Sequence, residues 1–180
     1  MKVIRDSNET LVELLNSKIQ TFIDYLNSLS EEELMRSENT NWHSLEHAEH
    51  IYNSLKLLPP LYSTPRFLLQ WKFGKANRPS RSYEEVKKRY LDKLIGRDMR
   101  NNPFAAKKDK VLIKNEIIAR LESCVSRLNK KVAKMSNIKL DQCILPHPLL
   151  GKITLREMIL FSAYHVEQHL NSMKNNMQTN

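Results

Sequence analysis

Ile117, Leu121, Cys124, Val125, Leu128, Val132 and Met135 recur at steps of mainly three and four residues. That spacing lines one face of an α-helix and fits no strand, whose side chains alternate with a period of two. Three other segments carry a similar stripe. Leu11, Leu15, Ile19, Phe22, Ile23 and Leu26 mark the first segment of the chain. His47, His50, Ile51, Ser54, Leu57, Leu58 and Leu61 share a broader face in the second. Leu155, Met158, Ile159, Ser162, His165, Val166, His169 and Met173 line the last. An amphipathic helix must bury its stripe against another element, and four stripes cover one another most simply as a bundle. The spacing therefore predicts an all-α, four-helix fold with helices over 9–28, 44–58, 109–135 and 154–175.

Local signals agree with these limits. Thr10 and Glu13 have capping-box spacing at the head of the first helix, as do Thr154 and Glu157 at the head of the last. Ser44 is placed to cap the second, with Glu46 in the first turn, where a carboxylate suits the helix dipole. Pro59-Pro60 is read as its end. Ser30 to Glu33 starts a short turn between the first two helices. Only three glycines occur, at 74, 96 and 151. They leave no phosphate-cradling loop and few tight turns, which argues against α/β and all-β folds.

At 180 residues and 41% hydrophobic, the chain can bury one sizeable core, so a single domain over 1–180 is expected. Residues 61–108 interrupt the pattern with Pro65, Pro79, Pro103, Gly74 and Gly96. They are expected to form a long crossover between the second and third bundle helices, holding a short charged helix near 82–94. Trp71 and Phe73 are expected to pin this crossover to the core.

No apolar run approaches the 18 residues of a membrane span, and the N-terminus has no signal-like apolar stretch. Cys124 and Cys143 form no Cys-x-x-Cys pair, and Cys124 lies on a core stripe. These features predict a cytoplasmic protein without membrane association. Charge is uneven: residues 1–60 carry five basic and ten acidic side chains, whereas 61–140 carry 21 and seven. The basic excess is read mainly as a solvated face. No groove-reading motif accompanies it, so no specific nucleic-acid partner is expected.

His165 and His169 stand four residues apart on the apolar stripe of the last helix, so both imidazoles can reach one metal ion. The competing reading is two separately hydrogen-bonded histidines at a helix contact. The run from Trp42 to Ile51 supplies further imidazoles on an inward face. Periodicity does not choose between His47 and His50 as the third ligand, and His43, ahead of the cap, is read as solvated.

Three blocks together resemble the DinB-like family of four-helix-bundle proteins, which includes bacillithiol- and mycothiol-dependent transferases. They are Trp42 followed eight residues later by His50; His147-Pro148 with Gly151 and Thr154-Leu155-Arg156-Glu157 leading into the last helix; and His165-x-x-x-His169-Leu170. The resemblance covers nearly the whole chain outside 61–108. It implies a bundle of DinB-like type and a metal triad of His50, His165 and His169, with His47 left as a supporting or structural group.

Three imidazoles and no carboxylate suit one divalent ion, whether zinc, nickel or iron, and leave an open position. A low-molecular-weight thiol bound there as cosubstrate would lose its proton more readily and could attack a small electrophilic substrate. The expected function is thus a metal-dependent thiol transferase. The alternatives are a metal-dependent hydrolase and a non-catalytic, metal-stabilised binding module with a basic face; homodimerisation stays open. Glu49, Tyr164 and Glu167 stand near enough in sequence to orient imidazoles or shuttle protons, although the two glutamates read more simply as surface residues.

Overall fold

A computed structural model of the chain describes residues 7–37, 42–95, 104–106 and 112–178. Along the chain run α1 (Asn8–Ser28), α2 (Glu31–Met35), α3 (Ser44–Leu55), α4 (Leu58–Ser63), α5 (Arg66–Phe73), α6 (Tyr83–Leu94), α7 (Lys114–Ala133) and α8 (Asn137–Gln142). Then come β1 (Ile144–His147), β2 (Gly151–Thr154) and α9 (Leu155–Gln178). Helices α1, α3, α7 and α9 make a bundle whose principal contacts run α1–α9, α9–α3, α3–α7 and α7–α1. This cycle sets α1 across from α3, and α7 across from α9.

The stripes explain the packing. All six apolar positions read on α1 are buried, as are Ile117, Leu121, Cys124, Val125, Leu128 and Val132 on α7. Met135, just beyond α7, is buried too. These side chains join those of α3 and α9 in one contiguous core. Among the described residues no helix is long and apolar enough to cross a membrane.

Several boundaries shift for local reasons. Ser7, not Thr10, caps α1, its Oγ accepting the Thr10 N–H at 3.1 Å. His43 rather than Ser44 stands at the head of α3, where Glu46 accepts the His43 backbone N–H at 2.9 Å. α3 stops at Leu55, and Pro59 and Pro60 open α4 instead of ending α3. Proline is tolerated in a first turn because its missing N–H would have no intrahelical partner there. Leu57 consequently falls off the inward face and is 48% exposed. α7 begins at Lys114, while 107–111 lie outside the described residues.

The lead-in to α9 is a small antiparallel hairpin, paired from Ile144–Thr154 to His147–Gly151. Gly151 has φ +73°, a left-handed conformation that glycine adopts without steric cost. Sequence alternation over four residues is too short to reveal such strands. Thr154 closes the expected capping box: its N–H reaches Glu157 Oε2 at 2.9 Å, and its Oγ1 accepts the Glu157 N–H at 3.1 Å.

The crossover is more helical than expected. α4 packs on α7, and α6 packs on α9. Phe73 lies partly buried against the core, as predicted, but Trp71 is 85% exposed and pins nothing. The anchor is electrostatic instead. Glu157 is fully buried and receives both guanidinium arms of Arg78 at 2.6 and 2.9 Å, and the Arg81 N–H at 2.8 Å. Beside it, Arg156 pairs with Asp141 at 2.7 Å, and Ser80 donates to the same carboxylate at 2.7 Å. Part of the basic excess is thus used internally to hold the crossover on the head of α9.

Candidate metal centre

α3 and α9 pack side by side near mid-bundle and bring four imidazoles into mutual contact. His50 Nε2 lies 3.1 Å from His165 Nε2, which lies 3.0 Å from His169 Nε2. One nitrogen from each ring falls within 4.8 Å of the others, the only such cluster of three His, Cys, Asp or Glu groups among the described residues. Three ligands of a tetrahedral ion with 2.0–2.1 Å bonds stand about 3.3 Å apart. The His50–His165 and His165–His169 separations are therefore a few tenths of an ångström shorter than an ion would set them.

Hydrogen-bond chemistry indicates which nitrogens are free. His50 Nδ1 sits 3.0 Å from the Phe104 carbonyl oxygen. A carbonyl only accepts, so Nδ1 carries the proton and Nε2 of the neutral ring is left with a lone pair facing the other two imidazoles. The neutral His165 Nε2 either donates or accepts, so its two close contacts, to His50 and to His169, cannot both be full hydrogen bonds whichever tautomer His169 adopts. A cation would satisfy all three nitrogens, so the donor set fits a divalent ion.

The site is largely buried and lined by aromatic rings. His47, His50 and His165 are buried, and Trp42 stacks nearly parallel to His169 at 5.9 Å and 11°. Phe161 stacks on His165 at 5.1 Å, and Tyr90 meets the same ring edge-on at 6.2 Å. Burial lowers His50 to about 4. Burial, with the nearby His50 and His43, lowers His47 to about 4 as well. Burial foremost, reinforced by neighbouring imidazoles, pushes His165 and His169 well below the usual value. All four rings are neutral at pH 7, the form that ligates.

Among the histidines left open by spacing, geometry groups His50, not His47, with His165 and His169. His47 Nδ1 touches His169 Nδ1 at 2.7 Å. That nitrogen is on the side of the His169 ring away from the other two imidazoles, so His47 stands behind the cluster and His50 within it. His43 is half-buried rather than solvated, with Nε2 3.6 Å from Glu46. Glu49 is buried, not a surface residue, because α7 brings Arg120 to 2.8 Å from its carboxylate; the same guanidinium lies over the Tyr52 ring. Glu167 is half-buried between Lys18 and Tyr83. Tyr164 is buried edge-on to Tyr83 and Tyr90. Phe104 had no sequence signal, because its backbone carbonyl acts and not its side chain. Trp42 stood in the motif, without any indication that it stacks on His169.

These depressed values predict acid lability. Each imidazole has a folded-state value below its unfolded one of about 6.5, so the unfolded chain binds more protons between the two. Stability is at its plateau above pH 6.5 and falls as pH drops toward 4, by up to about 1.4 kcal/mol per pH unit for each imidazole. His147, also held down to about 4 by burial, adds to the slope. Metal-free protein should lose melting temperature steeply between pH 6.5 and 4.5 in calorimetry. A flat profile there would contradict the neutral, buried cluster.

The sequence pattern of the DinB superfamily matches residues 14–173. Among solved structures, the crystal structure of TT2238, a four-helix bundle protein, superposes with a TM-score of 0.57 at 15% identity, covering 94% of this chain and 99% of that one. At that identity the likeness is one of fold alone. No curated protein gives a significant match.

Proposed function

This chain belongs to the DinB superfamily, and on that premise we propose that it binds one divalent ion through His50, His165 and His169 and acts as a metal-dependent transferase for a small thiol. The observation that carries the reading is the convergence of three Nε2 atoms, one of them committed by the Phe104 carbonyl to present a lone pair. Zinc, nickel and ferrous iron all suit such a donor set. When bound, the ion would supply Lewis acidity that lowers the pKa of a thiol or water in the position the three histidines leave open.

The remaining chemistry falls to the chain. Neutral, buried imidazoles offer nitrogen donors without first losing protons. The Trp42 and Phe161 rings against His169 and His165 keep the surroundings apolar, which strengthens any charge interaction made there. The thiol would come from outside. Cys124 and Cys143 are both buried, and burial raises both thiols above their ordinary value. Cys143 Sγ rests against the Arg66 carbonyl, and its backbone carbonyl accepts from the Leu155 N–H at the head of α9, ten residues before His165. Neither is suited to supply a thiolate.

Metal-loaded protein with a panel of small thiols should transfer thiol to a model electrophile, and chelation should remove that activity. Cys124→Ser and Cys143→Ser should retain most of it. Ester or amide hydrolysis without thiol would replace the transferase reading with a hydrolase. Failure of both assays across zinc, nickel and iron would leave the ion a tie between α3 and α9 in a binding module.

A further inference from the structure

We propose that His47 is a positioning residue for this site: its Nδ1 accepts the hydrogen bond that keeps the His169 proton on Nδ1 and leaves His169 Nε2 free for the ion. The inference rests on the metal reading above and assigns a task to a histidine outside the triad.

The two Nδ1 atoms are 2.7 Å apart, with ring centroids 5.0 Å apart at 60°. Between two neutral imidazoles only one of these nitrogens carries the shared proton. If His169 donates, its Nε2 presents a lone pair to His165 and His50. If His47 donates, the His169 proton moves to Nε2 and points into the cluster, where it would exclude an ion. The pair is therefore a two-state element, and ligation by His169 requires one of the states. At His50 the matching task falls to the Phe104 carbonyl, which can only accept and so allows one tautomer. His47 can accept or donate, which makes its tautomer the deciding one.

Two further observations bear on the pair. Trp42 lies flat on His169 and 5.6 Å from His47, holding the His169 ring in the plane that the hydrogen bond needs. In the ligating state His47 carries its proton on Nε2, away from His169. The Trp42 backbone hydrogen-bonds the His47 ring and favours its protonation against burial, so the ring has an acceptor besides His169.

The test uses the full chain loaded with Zn²⁺. Long-range ¹H–¹⁵N spectra of the imidazoles should place the His169 proton on Nδ1 and the His47 proton on Nε2; a proton on His47 Nδ1, or coordination through His169 Nδ1, overturns the proposal. In parallel, Co²⁺ affinity and visible absorption are compared for wild type, His47→Asn and His47→Leu. Asn places an amide oxygen near the position of Nδ1, whereas Leu fills space without accepting. His47→Leu should bind about 10- to 100-fold more weakly with altered Co²⁺ bands, as for loss of an outer-shell partner, and His47→Asn should recover most of both. Equal loss in the two variants, or none in His47→Leu, overturns the role. Should His47→Leu fail to fold, the wild-type tautomer spectrum decides. If wild type takes up neither Zn²⁺ nor Co²⁺, the metal reading itself fails, a result distinct from a silent His47.

Discussion

In the His165→Ala, His169→Ala double variant, tight uptake of a divalent ion should disappear, whereas His43→Ala should keep it. Two of three donors are removed, and the remaining His50 cannot hold an ion alone against water. The loss has a thermal counterpart. An ion present at a thousandfold above its dissociation constant stabilises the folded state by about 4 kcal/mol. In a chain of this size that raises the melting temperature by roughly 10 °C. Wild type should show an ion-dependent shift of this order, and the double variant none. Comparing each protein with and without ion removes the effect of the substitutions on the metal-free fold. Elemental analysis of untagged protein gives the stoichiometry, about one ion per chain. Full occupancy in the double variant would end the proposal.

Glu157→Ala should be the most destabilising single change outside the imidazole cluster. Burial alone would raise this carboxyl, but the Arg78 guanidinium and the Thr154 and Arg81 N–H groups hold it below the usual range. Removing it leaves two arginines facing a buried site without their partner, uncaps the first turn of α9, and frees the Arg78–Arg81 segment. Breaking a buried ion pair from one side costs about 3–5 kcal/mol, to which the lost cap adds about 1 kcal/mol. Denaturant unfolding should show the difference. Because α6 is tethered beside this network and Tyr90 on α6 meets His165, the variant should also weaken ion binding. A change below 1 kcal/mol would mean that the apolar stripes alone hold the crossover in place.

The stripes made the four bundle helices legible, because a 3.6-residue period is a local property that needs no partner to be seen. Thr154 and Glu157 were equally legible as a cap, since both bonds close within one turn. Leu57, Pro59 and Pro60 were misleading for a related reason: a proline pair reads as a stop, yet it serves as well to start a helix after a change of direction. Trp71 shows the limit of composition. Its exposure depends on how α5 sits on β1, which no short-range signal records.

The histidine cluster divides along the same line. Sequence alone determined that imidazoles lie on the inward faces of the second and fourth bundle helices, because spacing sets the face. Only the tertiary structure decided that His50 meets His165 and His169 while His47 stands behind them, since rings one turn apart on α3 differ in what α9 presents to them. It also decided that a carbonyl from the crossover orients His50, and that Arg78, Arg81 and Arg120 face inward to buried carboxylates. Those contacts join residues 54 to 79 positions apart. Helical periodicity specifies a direction from the axis, and only packing determines what waits there.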